Sequence, residues 1–270
     1  MSFEAAVHQQ IIDVPSAALE FAKSMAYPDL DVAHYLVELD ELARAAQSSI
    51  DRHTEIAARA RALAFFLFQD QGFAGNTADY GSPANSYLNA VLDERRGLPI
   101  ALSVLYVAIG RRCQLPVYGV GMPGHFVAAC STPAGPLFID AFNGGAELSP
   151  ANCAQLVQKM TAQKLEFVDA WLNESSAEDT LVRMLNNLRQ TYVNRREWSL
   201  ALKAVDLLQV LHPARAAHWR TRGFIHLQAG ELGAALRALE QFLCRAPRGA
   251  DAQVIRNACN QIRNSIARLN

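Results

Sequence analysis

Apolar residues recur at helical spacing over most of this chain. Ala18, Leu19, Phe21 and Ala22 follow Val14-Pro15-Ser16, where proline suits the first turn of a helix. Val32, Tyr35, Leu36, Leu39 and Leu42 keep the three-and-four interval that collects side chains on one helical face. A third helix is predicted over 56–68, with Leu63, Phe65, Phe66 and Phe68 crowding its end. By contrast, 72–83 holds Gly72, Gly75, Asn76, Gly81 and Pro83, and reads as a loop with little regular structure.

The pattern changes after Asn85. Tyr87, Leu88, Val91 and Leu92 form a short amphipathic helix, interrupted by Arg95-Arg96-Gly97. Pro99 opens the next helix, which is apolar nearly all round from Ile100 to Ile109 and is predicted to be central and buried. Three strand-like runs follow, 117–120, 125–129 and 137–140, joined by turns rich in glycine and proline. Short connections favour an antiparallel sheet packed on the buried helix. Asn143-Gly144-Gly145 is a turn, and Ser149-Pro150 opens a helix through Leu156 and Met160.

The last third is helical and repeats. Pro213 and Pro247, Ala201 and Ala235, and Leu208 and Phe242 are each 34 positions apart, the tetratricopeptide period. Trp219, Gly223, Ala235, Leu239, Phe242 and Pro247 fill the expected places of one unit. Leu185, Leu188, Tyr192, Ala201, Val205 and Pro213 fill those of another, in which Arg189 stands where a small glycine is usual. Small residues let two helices of a unit touch, and large ones fill the gaps between units. A helix over 252–269, with Val254, Ala258, Ile262 and Ile266 on one face, caps the pair.

Composition narrows the function. Apolar residues make up 51% of 270, charged residues 19%, and the net charge is −1, which suits a cored globular protein rather than a strongly cationic nucleic-acid binder. The longest apolar run, 98–109, is too short to span a bilayer, and residues 1–10 carry Glu4 and no positive leader. Cys113, Cys130, Cys153, Cys244 and Cys259 are scattered with no CxxC, as reduced thiols of a cytoplasmic protein would be. The seven histidines show no metal-binding spacing, and there is no glycine-rich nucleotide loop, so neither metal nor cofactor is expected.

The densest polar group lies between 85 and 145. It runs Asn85-Ser86-Tyr87-Leu88-Asn89, Val91-Leu92, Arg95-Arg96-Gly97-Leu98-Pro99-Ile100-Ala101-Leu102-Ser103, Pro123-Gly124-His125-Phe126, and Ile139-Asp140-Ala141-Phe142-Asn143-Gly144-Gly145. This stretch resembles the SirB-type family of bacterial regulators, in which a transglutaminase-like domain precedes tetratricopeptide-like repeats. The resemblance covers most of the chain, with little of it in the first 50 residues. It implies a papain-like arrangement: a cysteine at the start of the central helix, a histidine on the next strand and an aspartate on the strand after. His125 and Asp140 match the last two by order. An aspartate on one ring nitrogen would fix the tautomer that a general base requires. His125 serving only structural hydrogen bonds at the sheet edge is the other reading.

The nucleophile is missing. The cysteine would fall near Pro99 or Ile100, and no cysteine precedes Cys113. Cys113 sits roughly 20 Å along the helix, and Cys130, five positions after His125, points to the opposite sheet face. Cys153 follows on another helix, so none of the three has the expected relation to the pair. Ser103 is the one aliphatic hydroxyl inside the buried helix. It either replaces the nucleophile or bonds a carbonyl one turn back. Glu94, Arg95 and Arg96, with Asn85 and Asn143, either shape a cleft for a peptide carboxylate or bolt a loop to the domain through an Arg–Glu pair. Arg189, Tyr192, Arg222 and His226 are candidate groove residues of the repeats.

The expectation is an α+β, mostly helical chain with a small antiparallel sheet on a buried helix. It has an N-terminal helical region (1–80), a degenerate transglutaminase-like core (81–170) and repeats with a capping helix (178–270). The function expected is a non-catalytic regulatory or protein-interaction module, a pseudoenzyme with a protein or peptide partner, no nucleic acid and no membrane. The alternative is a divergent hydrolase or acyltransferase using His125 and Asp140 with an unconventional nucleophile.

Overall fold

The computed structural model describes residues 1–162 and 164–269. The fold is α+β and mostly helical. The chain divides into two compact units, Met1–Met184 and Leu185 onward, and the division falls inside a helix.

The first unit opens with α1 (Phe3–Val7), α2 (Val14–Met25), α3 (Val32–Ile50) and α4 (Ile56–Phe65). Pro15 does sit in the first turn of α2, where Asp13 accepts the Ser16 amide at 3.0 Å, and Asp31 caps α3 in the same manner. The helix predicted to reach residue 68 stops at Phe65 and continues as one π turn, Phe66–Asp70. Phe66, Leu67 and Phe68 are consecutive and all buried, which one face of a regular α-helix cannot achieve; the wider turn re-aims them.

The glycine-rich loop also contains paired backbone. β1 (Ala74–Gly75) runs parallel to β2 (Arg96–Gly97), and a β-carbon on Gly75 would lie 2.6 Å from the Phe142 ring. Between them a 3-10 turn (Pro83–Ser86) leads into α5 (Leu88–Glu94), which ends on left-handed Arg95. α6 (Pro99–Arg112) follows and is buried along almost its whole length, as its apolar run requires.

Four antiparallel strands lie side by side in chain order: β3 (Val117–Met122), β4 (His125–Thr132), β5 (Gly135–Asp140) and β6 (Ala146–Leu148). Gly110 of α6 packs on Val117, which pairs with Cys130, so alternation turns Phe126, Ala128 and Cys130 toward α6. Val127 and Ala129 turn the other way. There they pack with Val120, Met122, Phe138, and Cys153 and Val157 of α7 (Pro150–Met160). α6 runs from Ser103, against Phe126, to Gly110, against Val117, so its start lies at the end of the sheet that holds His125. A short turn, Asp169–Leu172, then leads to α8 (Ala177–Asn194).

The second unit takes the rest of α8, then α9 (Trp198–Leu211), α10 (Ala217–Gln228), α11 (Leu232–Arg245) and α12 (Ala250–Leu269). A β-carbon on Gly223 would meet Leu239 at 2.5 Å, which is why the repeat needs a bare position where α10 crosses α11. Ala235, Leu239, Phe242, Ile255, Cys259 and Ile262 form the core shared with α12.

Candidate functional site

His125 begins β4 and Asp140 ends β5, and the tight hairpin between these strands brings them together. His125 Nε2 lies 3.1 Å from Asp140 Oδ1, with both side chains buried. Asp140 also accepts the Phe142 amide (3.2 Å), the Asn143 amide (3.3 Å) and the Asn143 side-chain amide (2.7 Å). Burial pushes the Asp140 carboxyl up, but the hydrogen bond and charge of His125 and the two Asn143 donors together hold it below the usual carboxylate range. Asp140 Oδ1 is thus placed against Nε2, and Nδ1 is the ring nitrogen that does not face Asp140. Arg183, which the sequence did not mark, donates to the His125 carbonyl at 2.7 Å and lies over the Phe126 ring. It fixes the turn that carries His125 from 58 residues away.

The helix start at the same end of the sheet carries no nucleophile. Pro99 and Ile100 stand there, both buried. Ser103 does not bond back along its own helix. Its hydroxyl donates across to the Phe126 carbonyl at 3.3 Å, because α6 packs close enough to offer a strand acceptor. Cys153 stands nearer the pair than sequence order suggested: it shares the α7 face of the sheet, and the Asp140 charge adds to the burial that pushes its thiol up to about 11. Cys130 is also pushed up to about 11 by burial, and Cys113, raised in the same way, donates to the Ala43 carbonyl. Thiols so raised hold almost no thiolate at neutral pH.

The other polar residues of this region act on the loop. Asn85 is fully buried. Its amide donates to the Asp79 (2.7 Å) and Tyr80 (3.3 Å) carbonyls, its Oδ1 accepts from Asn76 (2.9 Å), and its own carbonyl accepts the Leu98 amide (2.8 Å). Arg95 donates to the Gln71 carbonyl and side chain, and Arg96 to the Gly72 carbonyl at 2.9 Å. The arginines therefore tie the loop through carbonyl oxygens. Exposed Glu94 makes no ion pair with them among the described residues; its charge acts instead on the Tyr27 phenol.

In the second unit a groove of about 410 Å³ runs between α8, α10 and α12. Arg189 lines it with Arg220, Phe224 and Val254. Phe224 and Val254 are exposed. Arg189 Nε donates to Asn186 at 3.2 Å, burial lowers its guanidinium pKa, and no carboxylate pairs with it among the described residues. The remaining groove candidates lie elsewhere. Tyr192 is buried; Arg222 is held by Asp206 and Gln209 and stacks on Trp219; His226 Nδ1 sits 2.6 Å from Glu231. Residues 222 and 226 share one face of α10, whereas 220, 224 and 228 share another, a four-residue spacing that the sequence itself displays.

Among the described residues no cluster of His, Cys, Asp and Glu could hold a metal ion, and no helix is long and apolar enough to cross a membrane. Residues 33–186 match the transglutaminase-like superfamily, and 188–260 match the tetratricopeptide repeat. A UPF0162 protein of Xylella fastidiosa is 31% identical over 255 residues, covering 93% of this chain and 90% of the relative. A UPF0162 protein of Pseudomonas aeruginosa is 30% identical, with 79% of each chain covered. F-box only protein 21 of Mus musculus is 29% identical over 185 residues, 63% of this chain and 28% of that protein. A transglutaminase-like match followed in sequence by a tetratricopeptide match, and a UPF0162 relative covered over 90% of its length, give one conclusion: the chain belongs to the UPF0162 family.

Proposed function

We propose that this protein is a non-catalytic interaction module with a regulatory role of the SirB type, a pseudoenzyme whose repeats hold a partner segment in the groove beside Arg189. One observation carries the reading: a desolvated guanidinium with a single amide partner among the described residues stands beside exposed Phe224 and Val254. Such a cation gains most from a carboxylate that arrives already stripped of water. The matching segment carries an acidic side chain next to an apolar one. In this reading the 81–170 core is a scaffold covered by 1–80, and 178–270 does the binding. It needs no cofactor, metal or nucleic acid, and it works in the bacterial cytoplasm.

Peptide selection on the full chain, followed by fluorescence polarisation, tests the reading. Selected peptides are expected to pair an acidic with an apolar residue, and Arg189→Gln and Phe224→Asp are each expected to weaken them at least about tenfold. Peptides that bind both variants as tightly as the original chain overturn it.

The 3.1 Å contact between His125 and Asp140 supports a second reading, a hydrolase or acyltransferase working through this pair with an unconventional nucleophile. Covalent labelling by a serine- or thiol-directed acyl probe that disappears in a folded His125→Ala variant would establish it; labelling unaffected by that change would remove it.

A further inference from the structure

The first unit contains another cavity, of about 260 Å³, whose walls include neither His125 nor Asp140. It lies where α6, the start of α2 and the chain before α8 meet the α6-facing side of the sheet. Val104 and Phe126 form its floor beside Gly119, where a β-carbon would strike the Phe126 ring at 2.7 Å. The Ser103 hydroxyl on that floor is already given to the Phe126 carbonyl, so the depth of the cavity offers an apolar surface. Ile12, Val14 and half-buried Val107 continue it upward, and Ile11, 83% exposed, stands at the lip.

The mouth is charged with both signs. Arg111 reaches the Val117 carbonyl at 3.2 Å and Glu174 at 3.4 Å, and Asp13 stands at the same rim. The Arg111–Glu174 pair is more than half exposed on both sides, so separating it costs little. A ligand with a single charge would meet its own sign as well as the opposite one. A zwitterion matches both: an ammonium beside Asp13 and Glu174, a carboxylate beside Arg111. At roughly 30 Å³ per water-sized group, the volume suits about nine non-hydrogen atoms. An apolar depth, a mouth of both signs and this size describe one class of molecule. We propose that the cavity binds a free α-amino acid with an apolar side chain, of which leucine and isoleucine are the probes.

Isothermal titration of the full chain with these two probes tests the site, alongside leucinamide, which lacks the carboxylate, and N-acetyl-leucine, which lacks the ammonium. Expected are saturable binding of at least one amino acid and at least about tenfold weaker binding of both derivatives. Val107→Trp, which fills the cavity from a half-buried wall, is expected to abolish binding. Arg111→Gln, a surface change that keeps the fold should the tryptophan variant not fold, is expected to weaken the amino acid at least about fivefold and leave leucinamide unchanged. No binding of either probe up to about 10 mM overturns the proposal. So does full affinity for leucinamide, which would indicate a peptide N-terminus, or affinity for leucine unchanged in Arg111→Gln.

Discussion

Two polar groups of this protein, Asp140 of the first unit and Arg189 of the second, are opposites. Asp140 is buried with four donors and every one of them is made good: one ring nitrogen, two backbone amides and one side-chain amide. Arg189 is half-buried with one amide acceptor and no carboxylate among the described residues. A saturated buried group has nothing left to offer a ligand and contributes to the fold. An under-satisfied cation on the wall of an open groove contributes little to the fold and has most to gain from a visitor. On the proposed function, the residues that resemble an enzyme's serve the fold, and the residue that departs from the repeat pattern serves binding.

The contrast breaks most readily at Asp140. Asp140→Ala strands His125 Nε2, the Asn143 amide and two backbone N–H groups in a buried place, and is expected to cost about 3 kcal/mol or more of unfolding free energy in a denaturant titration. A loss below about 1 kcal/mol would mean that the network is not structural.

Acid provides a second and smaller separation. His218 is buried, its Nε2 makes no hydrogen bond among the described residues, and its pKa falls from 6.5 to about 4, through burial first and then the charges of Arg215, His212 and Arg189. The folded state therefore binds its proton later than the unfolded state does. The stability from neutral His218 is complete above 6.5 and is lost as pH falls toward 4. Asp140, held below 3.8, loses its own contribution only at still lower pH. Melting temperature is expected to decline between these limits in the original chain, and to decline less in His218→Gln.

The smallest effect is the most discriminating. Arg189→Leu is expected to leave stability unchanged or raise it by up to about 1 kcal/mol, since it removes a desolvated charge with no counter-ion among the described residues. A loss above about 1 kcal/mol in the same titration would make Arg189 a structural residue like Asp140.

Much of the architecture is legible in the sequence because it is local or periodic. The 34-residue spacing marks the helix crossings, and the bare Gly223 against Leu239 is its physical content. The His125–Asp140 contact follows from a hairpin short enough to fix register. Contacts set by how elements cross in space are not legible in this way. Arg183 reaches the turn at His125 from another helix, α7 carries Cys153 to the face that holds Asp140, and Ser103 finds a strand carbonyl in place of a helical one. The groove side of α10 lies between these cases. Its four-residue spacing is visible at 220, 224 and 228, but only the packing of Leu239 on Gly223 selects it over the side that holds 222 and 226.

The turn after β5 also bears on the order in which the chain acquires its structure. Three of the four donors to Asp140 come from residues no more than three positions away, while the fourth, His125, is fifteen positions back. A contact closed over a few residues forms early, because little chain entropy is lost in closing it. The turn at 140–143 can therefore be in place while β4 is still searching for its register, and His125 joins a carboxylate that is already oriented. In kinetic terms His125→Ala is expected to speed unfolding more than it slows folding, which stopped-flow unfolding and refolding of the two chains would check. On that expectation the β4–β5 pairing closes like a latch on a preformed seat.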